Sequence, residues 1–243
     1  MKPVRICLWS GPRNISTSLM YSFAQLQNCE VFDEPLYAHY LSNLSQEERA
    51  RHPAAEEIIA AMEQDGSKVI EMMKSDFVES TEIVFFKNMT HHLLGIDRSF
   101  MHDVVNVILT RNPKDMLPSY DKVIRNPSLS DTGYAPHIEL LEYFRREEIQ
   151  PIVLDSKRLQ EDPERVLQEL CKRAGVQFDS AMLQWEAGPK EDDGIWAEYW
   201  YSGTHLSTGF RKYTPKQELF PEHLVPLLKQ CQPLYQQLKK LAI

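Results

Sequence analysis

Short apolar runs and segments with helical spacing alternate along this chain. The apolar runs are rich in β-branched and aromatic residues, which predicts buried strands at 4–9, 29–32, 82–87, 104–110 and 152–154. Apolar residues at helical spacing predict helices after residue 18 and over 45–65, 113–124, 163–174 and 221–241. Strands that alternate with helices predict an α/β fold with a mostly parallel central sheet, flanked by helices on both faces.

The turn between the first predicted strand and the first predicted helix has features of an anion site. The first N–H groups of a helix lack partners within the helix, and the helix dipole is positive there, so phosphate or sulfate is favoured. Arg13 adds a guanidinium that can hold an oxyanion through two hydrogen bonds. Hydroxyl donors follow at Ser16, Thr17 and Ser18.

This turn matches the phosphate loop of NTPases only in part. Gly11 and Ser18 fall at the outer positions of G-x-x-x-x-G-K-[ST], but Ser16 replaces the second glycine and Thr17 replaces the lysine. An ordinary strand-to-helix turn in which Ser16 only caps the helix explains the residues equally well.

Further polar residues follow the second and third predicted strands. Asp33 and Glu34 end the second strand, and Lys87 ends the third, with His91 and His92 shortly after it. Ligands of open α/β sheets bind at the carboxyl ends of the strands, so these side chains are candidates for one crevice. The alternative is a solvated turn, a surface lysine and a solvated or helix-capping histidine pair.

The fourth predicted strand also ends in a basic group. Arg111 lies directly before a helix that begins at Pro113, and Ser119 lies two turns into that helix. A second cation at a second strand end indicates a second anion subsite.

Composition narrows the possible functions. The chain has 243 residues and a net charge of -8, which argues against a general nucleic-acid binder. We expect a single domain over residues 1–243, since this length suits one substantial core. The four cysteines are far apart along the chain, which indicates neither a disulfide framework nor a zinc site and favours a reducing, cytoplasmic setting. The first predicted strand leaves no room for a signal peptide, and no apolar run reaches the ~20 residues of a membrane span, so we expect no membrane partner.

Residues 109–120 carry a more specific pattern. This segment, which includes R-N-P-K-D and a following S-Y pair, resembles the R-N-P-K-D-x-x-x-S-Y segment of sulfotransferases that use 3′-phosphoadenosine 5′-phosphosulfate. The resemblance implies that Arg111 and Ser119 hold the 3′-phosphate of this donor. Residues 11–20 are similar to the family's phosphate-binding turn, P-R-S-G-T-T-L-M, with one extra residue between Arg13 and Leu19. The donor-binding residues that this second similarity implies are Gly11, Pro12, Arg13, Asn14, Ser16, Thr17 and Ser18.

The resemblance also implies a reaction, in which a sulfuryl group moves in line from the donor to a hydroxyl or amine of a small-molecule acceptor. Lys87 would neutralise charge on the transferred or leaving oxygens, and no metal is required. Some members place the base as a glutamate after the second strand, which Glu34 resembles, and His91 or His92 is the second choice. The similarity spans residues 4–175, and the chain diverges from about residue 179.

Three questions stay open at this point. The aromatic-rich segment 185–201 is either an acceptor pocket or lid, or extra core beneath a long loop. A small-molecule kinase that uses ATP and Mg²⁺ is a rival enzyme class. A non-enzymatic function is also open, in which the domain binds a 3′-phosphorylated nucleotide without catalysis.

Overall fold

The structure is a computed structural model that describes residues 2–215 and 218–243. Within these residues the strands are β1 (Val4–Ser10), β2 (Cys29–Asp33), β3 (Ile83–Met89), β4 (Val105–Thr110) and β5 (Ile152–Asp155). The α-helices are α1 (Ser16–Phe23), α2 (Tyr37–Ser42), α3 (Gln46–Arg49), α4 (Ala55–Ala61), α5 (Gly66–Lys74), α6 (Pro113–Tyr120), α7 (Tyr134–Arg146), α8 (Ser156–Glu161), α9 (Pro163–Ala174), α10 (Ala197–Trp200), α11 (Ser202–His205) and α12 (Val225–Leu241). Short 3₁₀ helices cover Thr90–His92, Arg98–Asp103, Ser130–Thr132, Ser180–Leu183 and Glu222–Leu224.

The strands form one parallel sheet with the order β2-β3-β1-β4-β5. Helices lie on both of its faces, so the predicted α/β class and the parallel sheet are confirmed. β1 is central, and the chain moves to one side of it for β2 and β3 and to the other side for β4 and β5. The carboxyl end of β1 therefore lies where the strand order reverses, which is the usual ligand position in such sheets.

The two faces of β1 supply two separate cores. Ile6 and Leu8 are fully buried in the core that contains α1 and α9, whereas Cys7 and Trp9 are fully buried in the core that contains α6, α7 and α12. Burial of each such large apolar side chain contributes about 1.5–3 kcal/mol to folding. The one polar atom of the Trp9 side chain is satisfied, because its Nε1 donates to Asn106 Oδ1 at 3.0 Å.

The helix predictions hold best where the chain marks both ends of a helix. α9 starts at Pro163 and ends before Gly175, which takes the left-handed conformation at φ 72°. The predicted helix over 45–65 is instead two short helices, α3 and α4, separated by a break in which Ala54 has φ 57°. α6 ends at Tyr120 rather than continuing to residue 124.

Candidate active site

A cavity of about 280 Å³ opens at the carboxyl ends of the strands. Its wall contains most of the residues that the sequence singled out, namely Pro12, Arg13, Asn14, Ser16, Thr17, Ser18, Glu34, Lys87, His91, His92 and Arg111. Two others, Gly11 and Ser119, do not line the cavity but contact residues that do.

The turn between β1 and α1 presents an uncapped helix terminus to this cavity. α1 begins at Ser16, and the residue before it, Ile15, supplies no side-chain cap. Ser16 is therefore not the helix cap that the ordinary-turn interpretation requires. The first turn contains no acidic residue, so no side chain of that turn offsets the positive end of the helix dipole. Arg13 and Ile15 both take the left-handed conformation, at φ 58° and 63°. Such positions cost about 1–3 kcal/mol each and concentrate at functional sites.

Three hydrogen bonds join this loop to residues at the carboxyl ends of β4 and β5. Asn14 Nδ2 donates to the Leu109 carbonyl at the end of β4, at 3.0 Å. Ser156 Oγ, which follows β5, donates to the Asn14 carbonyl at 2.8 Å. Arg111 Nη1 donates to the Arg13 carbonyl at 2.6 Å. The loop therefore has its conformation set before any ligand arrives.

Gly11 keeps the loop close to the chain before α7. A Cβ atom on Gly11 would lie 2.8 Å from the Thr132 carbonyl, and one on Gly133 would lie 2.9 Å from the Gly11 Cα. Gly11 therefore serves backbone packing beneath the anion loop, which explains why it does not line the cavity.

Two partly buried guanidinium groups lie over the loop. Arg13 Nε donates to Ser119 Oγ at 3.1 Å, and its Nη1 donates to the Trp200 carbonyl at 2.7 Å. Burial lowers the pKa of Arg13, and the charge of Arg111 lowers it further. Burial also lowers the pKa of Arg111, although Asp115 opposes this. A bound anion relieves both the burial cost and the repulsion, so these residues fit a phosphorylated or sulfated ligand.

In the wall of the same cavity, a buried lysine connects two carboxylates and a tyrosine. Lys87 Nζ donates to Asp33 Oδ1 at 2.6 Å, to Glu34 Oε1 at 2.5 Å and to the Tyr201 hydroxyl at 2.6 Å. Parallel pairing of β2 with β3 places Asp33 opposite Lys87. β3 continues to Met89, so Lys87 lies inside the strand rather than at its end. Its three N–H donors are used by protein groups in this structure.

Glu34 is the carboxylate of this cluster that lines the cavity. Its side chain is 10% exposed, against 1% for both Lys87 and Asp33. Burial raises the pKa of Glu34 and Asp33 raises it further, while Lys87 opposes the increase. Burial works against the charge on Lys87, but the two carboxylates outweigh it and raise the pKa of the lysine. Glu34 also has a left-handed backbone, at φ 46°.

The two histidines lie among aromatic rings. His92 is 1% exposed and stacks on Tyr37 and Tyr40, with ring centroids 4.8 and 4.7 Å away. His91 meets Tyr40 edge-on at 4.9 Å. Burial lowers the pKa of His91 to about 3 and that of His52, which also lines the cavity, to about 4. These rings are uncharged at neutral pH.

Part of the aromatic-rich segment 185–201 lines the cavity, and part of it lies in the core. Trp196, Trp200 and Tyr201 line the cavity. Trp185 instead belongs to the core beneath α1 and α9, where it meets Phe210 at 5.2 Å. Trp196 Nε1 donates to the Tyr201 hydroxyl at 2.9 Å, which joins the segment to the lysine cluster.

Sequence reasoning did not assign Tyr37 and Tyr120 to the cavity wall, and it did not foresee that Tyr201 contacts Lys87. Tyr37 and Tyr120 line the cavity from α2 and α6, and Tyr201 completes the lysine cluster from a distant part of the chain. Tyr37 lies three residues after Glu34, and Tyr120 directly follows Ser119. That proximity to proposed site residues is the signal that identifies them.

The buried histidines predict a loss of stability in acid. Burial lowers the pKa of His137 to about 4, as it does for His52 and His91. Below pH 6.5 the unfolded chain binds protons at these rings while the folded chain does not. The free energy of unfolding therefore decreases as the pH is lowered, by up to about 1.4 kcal/mol per pH unit for each ring. Urea unfolding at pH 7.5, 6.5 and 5.5 is expected to show this decline, and equal stability across that interval would contradict it.

Comparisons with known proteins identify the family of this chain. A family model described as a sulfotransferase domain matches residues 4–242, so the chain belongs to the sulfotransferase domain family. The resemblance predicted from residues 11–20 and 109–120 is thereby confirmed.

Two related sequences come from Arabidopsis thaliana. Branched-chain-amino-acid aminotransferase-like protein 2 is 37% identical over 231 residues, which are 93% of this chain and 40% of that protein. Branched-chain-amino-acid aminotransferase-like protein 1 is 36% identical over 238 residues, which are 96% of this chain and 41% of that protein. The chain thus spans about two-fifths of the length of these curated relatives.

Solved structures share the fold. The sulfotransferase from Alicyclobacillus acidocaldarius aligns with a TM-score of 0.59 and 14% identity, and covers 99% of this chain and 96% of that one. The sulfotransferase domain from the curacin biosynthetic pathway aligns with a TM-score of 0.50 and 15% identity, and covers 100% and 92%. At these identities the likeness establishes the architecture.

Within residues 2–215 and 218–243, no group of three or more His, Cys, Asp or Glu side chains is arranged to hold a metal ion. Among the same residues, no helix combines the length and the apolar character needed to cross a bilayer.

Proposed function

We propose that this chain transfers a sulfuryl group from 3′-phosphoadenosine 5′-phosphosulfate to a hydroxyl or amine of a small-molecule acceptor. The observation that carries the proposal is that two kinds of group line one cavity. One is an uncapped helix terminus with two guanidinium groups, and the other is a carboxylate with a raised pKa. Membership of the sulfotransferase domain family supports the same reaction class.

On the donor side, separate residues bind the two anionic groups of the donor. Arg111 and Ser119 hold the 3′-phosphate, and Arg13 joins this subsite to the loop because its Nε contacts Ser119 Oγ at 3.1 Å. The N–H groups at the start of α1 and the hydroxyls of Ser16, Thr17 and Ser18 hold the 5′-phosphosulfate. The reaction depends mainly on positioning and charge neutralisation, as in phosphoryl transfer.

On the acceptor side, Glu34 is the proposed base that takes the proton of the acceptor hydroxyl or amine. Its raised pKa brings it closer to neutral pH, where a general base is most effective. His91 and His92 are weaker candidates, because burial keeps the pKa of both rings below the ordinary range. In this arrangement Lys87 acts through Glu34 rather than on the transferred oxygens.

Thermal-shift titration tests donor binding directly. A ligand at 100 times its dissociation constant adds about 2.7 kcal/mol to stability, so 3′-phosphoadenosine 5′-phosphate is expected to raise Tm without metal. ADP with and without Mg²⁺ is the comparison. A preference for Mg²⁺-ADP would overturn the proposal in favour of a kinase, and specific binding of the 3′-phosphorylated nucleotide without turnover on any acceptor would indicate a non-catalytic binding domain.

A further inference from the structure

The lysine cluster at the cavity wall contains two carboxylates and one ammonium group. All three are at least nine-tenths buried, and both carboxylates contact the same Lys87 Nζ. A single lysine neutralises only one carboxylate, so the cluster carries a net charge of -1 when all three groups are ionised. The contacts of the two carboxylates indicate which of them Lys87 neutralises.

Asp33 is the carboxylate that the protein holds on every side. Its Oδ1 accepts from Lys87 Nζ at 2.6 Å and from the Tyr201 hydroxyl at 2.9 Å. Its Oδ2 accepts from the Gly194 N–H at 3.1 Å and from the same hydroxyl at 2.8 Å. These contacts come from β3 and from the segment before and after α10. Asp33 therefore has no edge on the cavity, whereas Glu34 does.

We propose that Asp33 is a positioning residue that neutralises and fixes Lys87 from behind, so that Glu34 remains basic enough to accept the acceptor's proton. This inference rests on the proposed function, since it assigns Glu34 the role of base. Lys87, in contact with both carboxylates, holds the Glu34 side chain in place, and Asp33 prevents the two from becoming an isolated ion pair. An isolated pair would make Glu34 a much weaker base, because the neighbouring cation would favour its charged form.

Among the described residues, four titratable groups act on Glu34 from the surrounding elements: Lys87 on β3, Asp33 on β2, Tyr201 after α10 and Tyr37 on α2. Burial raises the pKa of both tyrosines well above their ordinary value. Near neutral pH the two tyrosines are uncharged. The charge that Glu34 experiences within the cluster is therefore set by Asp33 and Lys87.

The test is to titrate the Glu34 carboxyl carbon by ¹³C NMR in the donor-free protein, with Glu34→Gln to assign the resonance. In Asp33→Asn, the titration midpoint of Glu34 is expected to move to lower pH, because the charge of Lys87 is no longer shared. The acid limb of kcat/KM moves the same way, and kcat falls about tenfold or more as the base weakens. An unchanged midpoint, or one at higher pH, would overturn the proposal.

Two further variants separate charge from general disruption. Asp193→Asn removes a carboxylate directly before Gly194, and this carboxylate contacts Tyr21 and His205 instead of Lys87. This variant is expected to leave the titration midpoint of Glu34 unchanged. Lys87→Gln removes the cation, and the midpoint is then expected to rise. If Asp33→Asn does not fold, Lys87→Gln decides the matter, since a midpoint that stays or falls there overturns the proposal.

The NMR readout also separates this inference from the proposed function. Donor binding together with an unmoved midpoint would overturn the role of Asp33 and leave the proposed sulfuryl transfer standing. A moved midpoint in a protein that neither binds the donor nor turns over an acceptor would overturn the proposed function, while the effect of Asp33 on Glu34 would stand.

Discussion

Replacing Glu34 with Gln is expected to lower kcat by about 10²–10⁴-fold and to leave donor affinity nearly unchanged. The amide keeps the size of the side chain but cannot accept a proton from the acceptor. The fold is expected to persist, because Lys87 retains Asp33 as its partner at 2.6 Å. Steady-state kinetics with varied acceptor, combined with calorimetric titration of 3′-phosphoadenosine 5′-phosphate, separates the two effects.

The histidines supply the matched controls for this variant. His91→Gln and His92→Gln each remove a ring that burial keeps uncharged at neutral pH, so their effect on the acid limb of the pH profile is expected to be small. In the wild-type protein that limb is expected above the ordinary pKa of glutamate, because the pKa of Glu34 is raised and the proposed base is lost as Glu34 becomes protonated. Full activity of Glu34→Gln would transfer the role of base to a histidine.

The sheet was predictable because strands and helices leave different local patterns. β4 is almost purely apolar and β-branched, and it was located to within one residue. α7 was missed, although it has 13 residues. Its buried positions recur at helical spacing, but they include Tyr134 and His137, and burial of these two residues is decided by packing against other parts of the chain.

The site was predictable to the extent that one edge of the sheet collects its residues. The carboxyl ends of parallel neighbours must meet, so Arg13, Glu34 and Arg111 were expected to share a crevice before their distances were known. The contacts of Lys87 were not predictable in the same way. Tyr201 is 114 positions from Lys87 along the chain, and no local pattern states that a lysine on β3 will use all its donors inside the protein.

The second large effect is expected at Arg111. Arg111→Ala is expected to weaken binding of 3′-phosphoadenosine 5′-phosphate by about 10–100-fold, because hydrogen bonds to a charged partner contribute about 1.5–3 kcal/mol. Adenosine 5′-phosphate lacks the 3′-phosphate and is expected to lose much less. Calorimetric titration of both nucleotides against wild-type and variant protein gives the two ratios.

The comparison of two nucleotides is needed because Arg111 also supports the anion loop. Its Nη1 donates to the Arg13 carbonyl at 2.6 Å, so its removal loosens the loop that is proposed to hold the 5′ group. Loosening weakens both nucleotides alike, whereas loss of a 3′-phosphate contact weakens only one of them. Arg111→Lys keeps the charge but loses the paired geometry of the guanidinium, so its discrimination is expected to fall between wild type and alanine. Equal losses for both nucleotides would remove the 3′-phosphate from Arg111 and leave it a purely structural part of the loop.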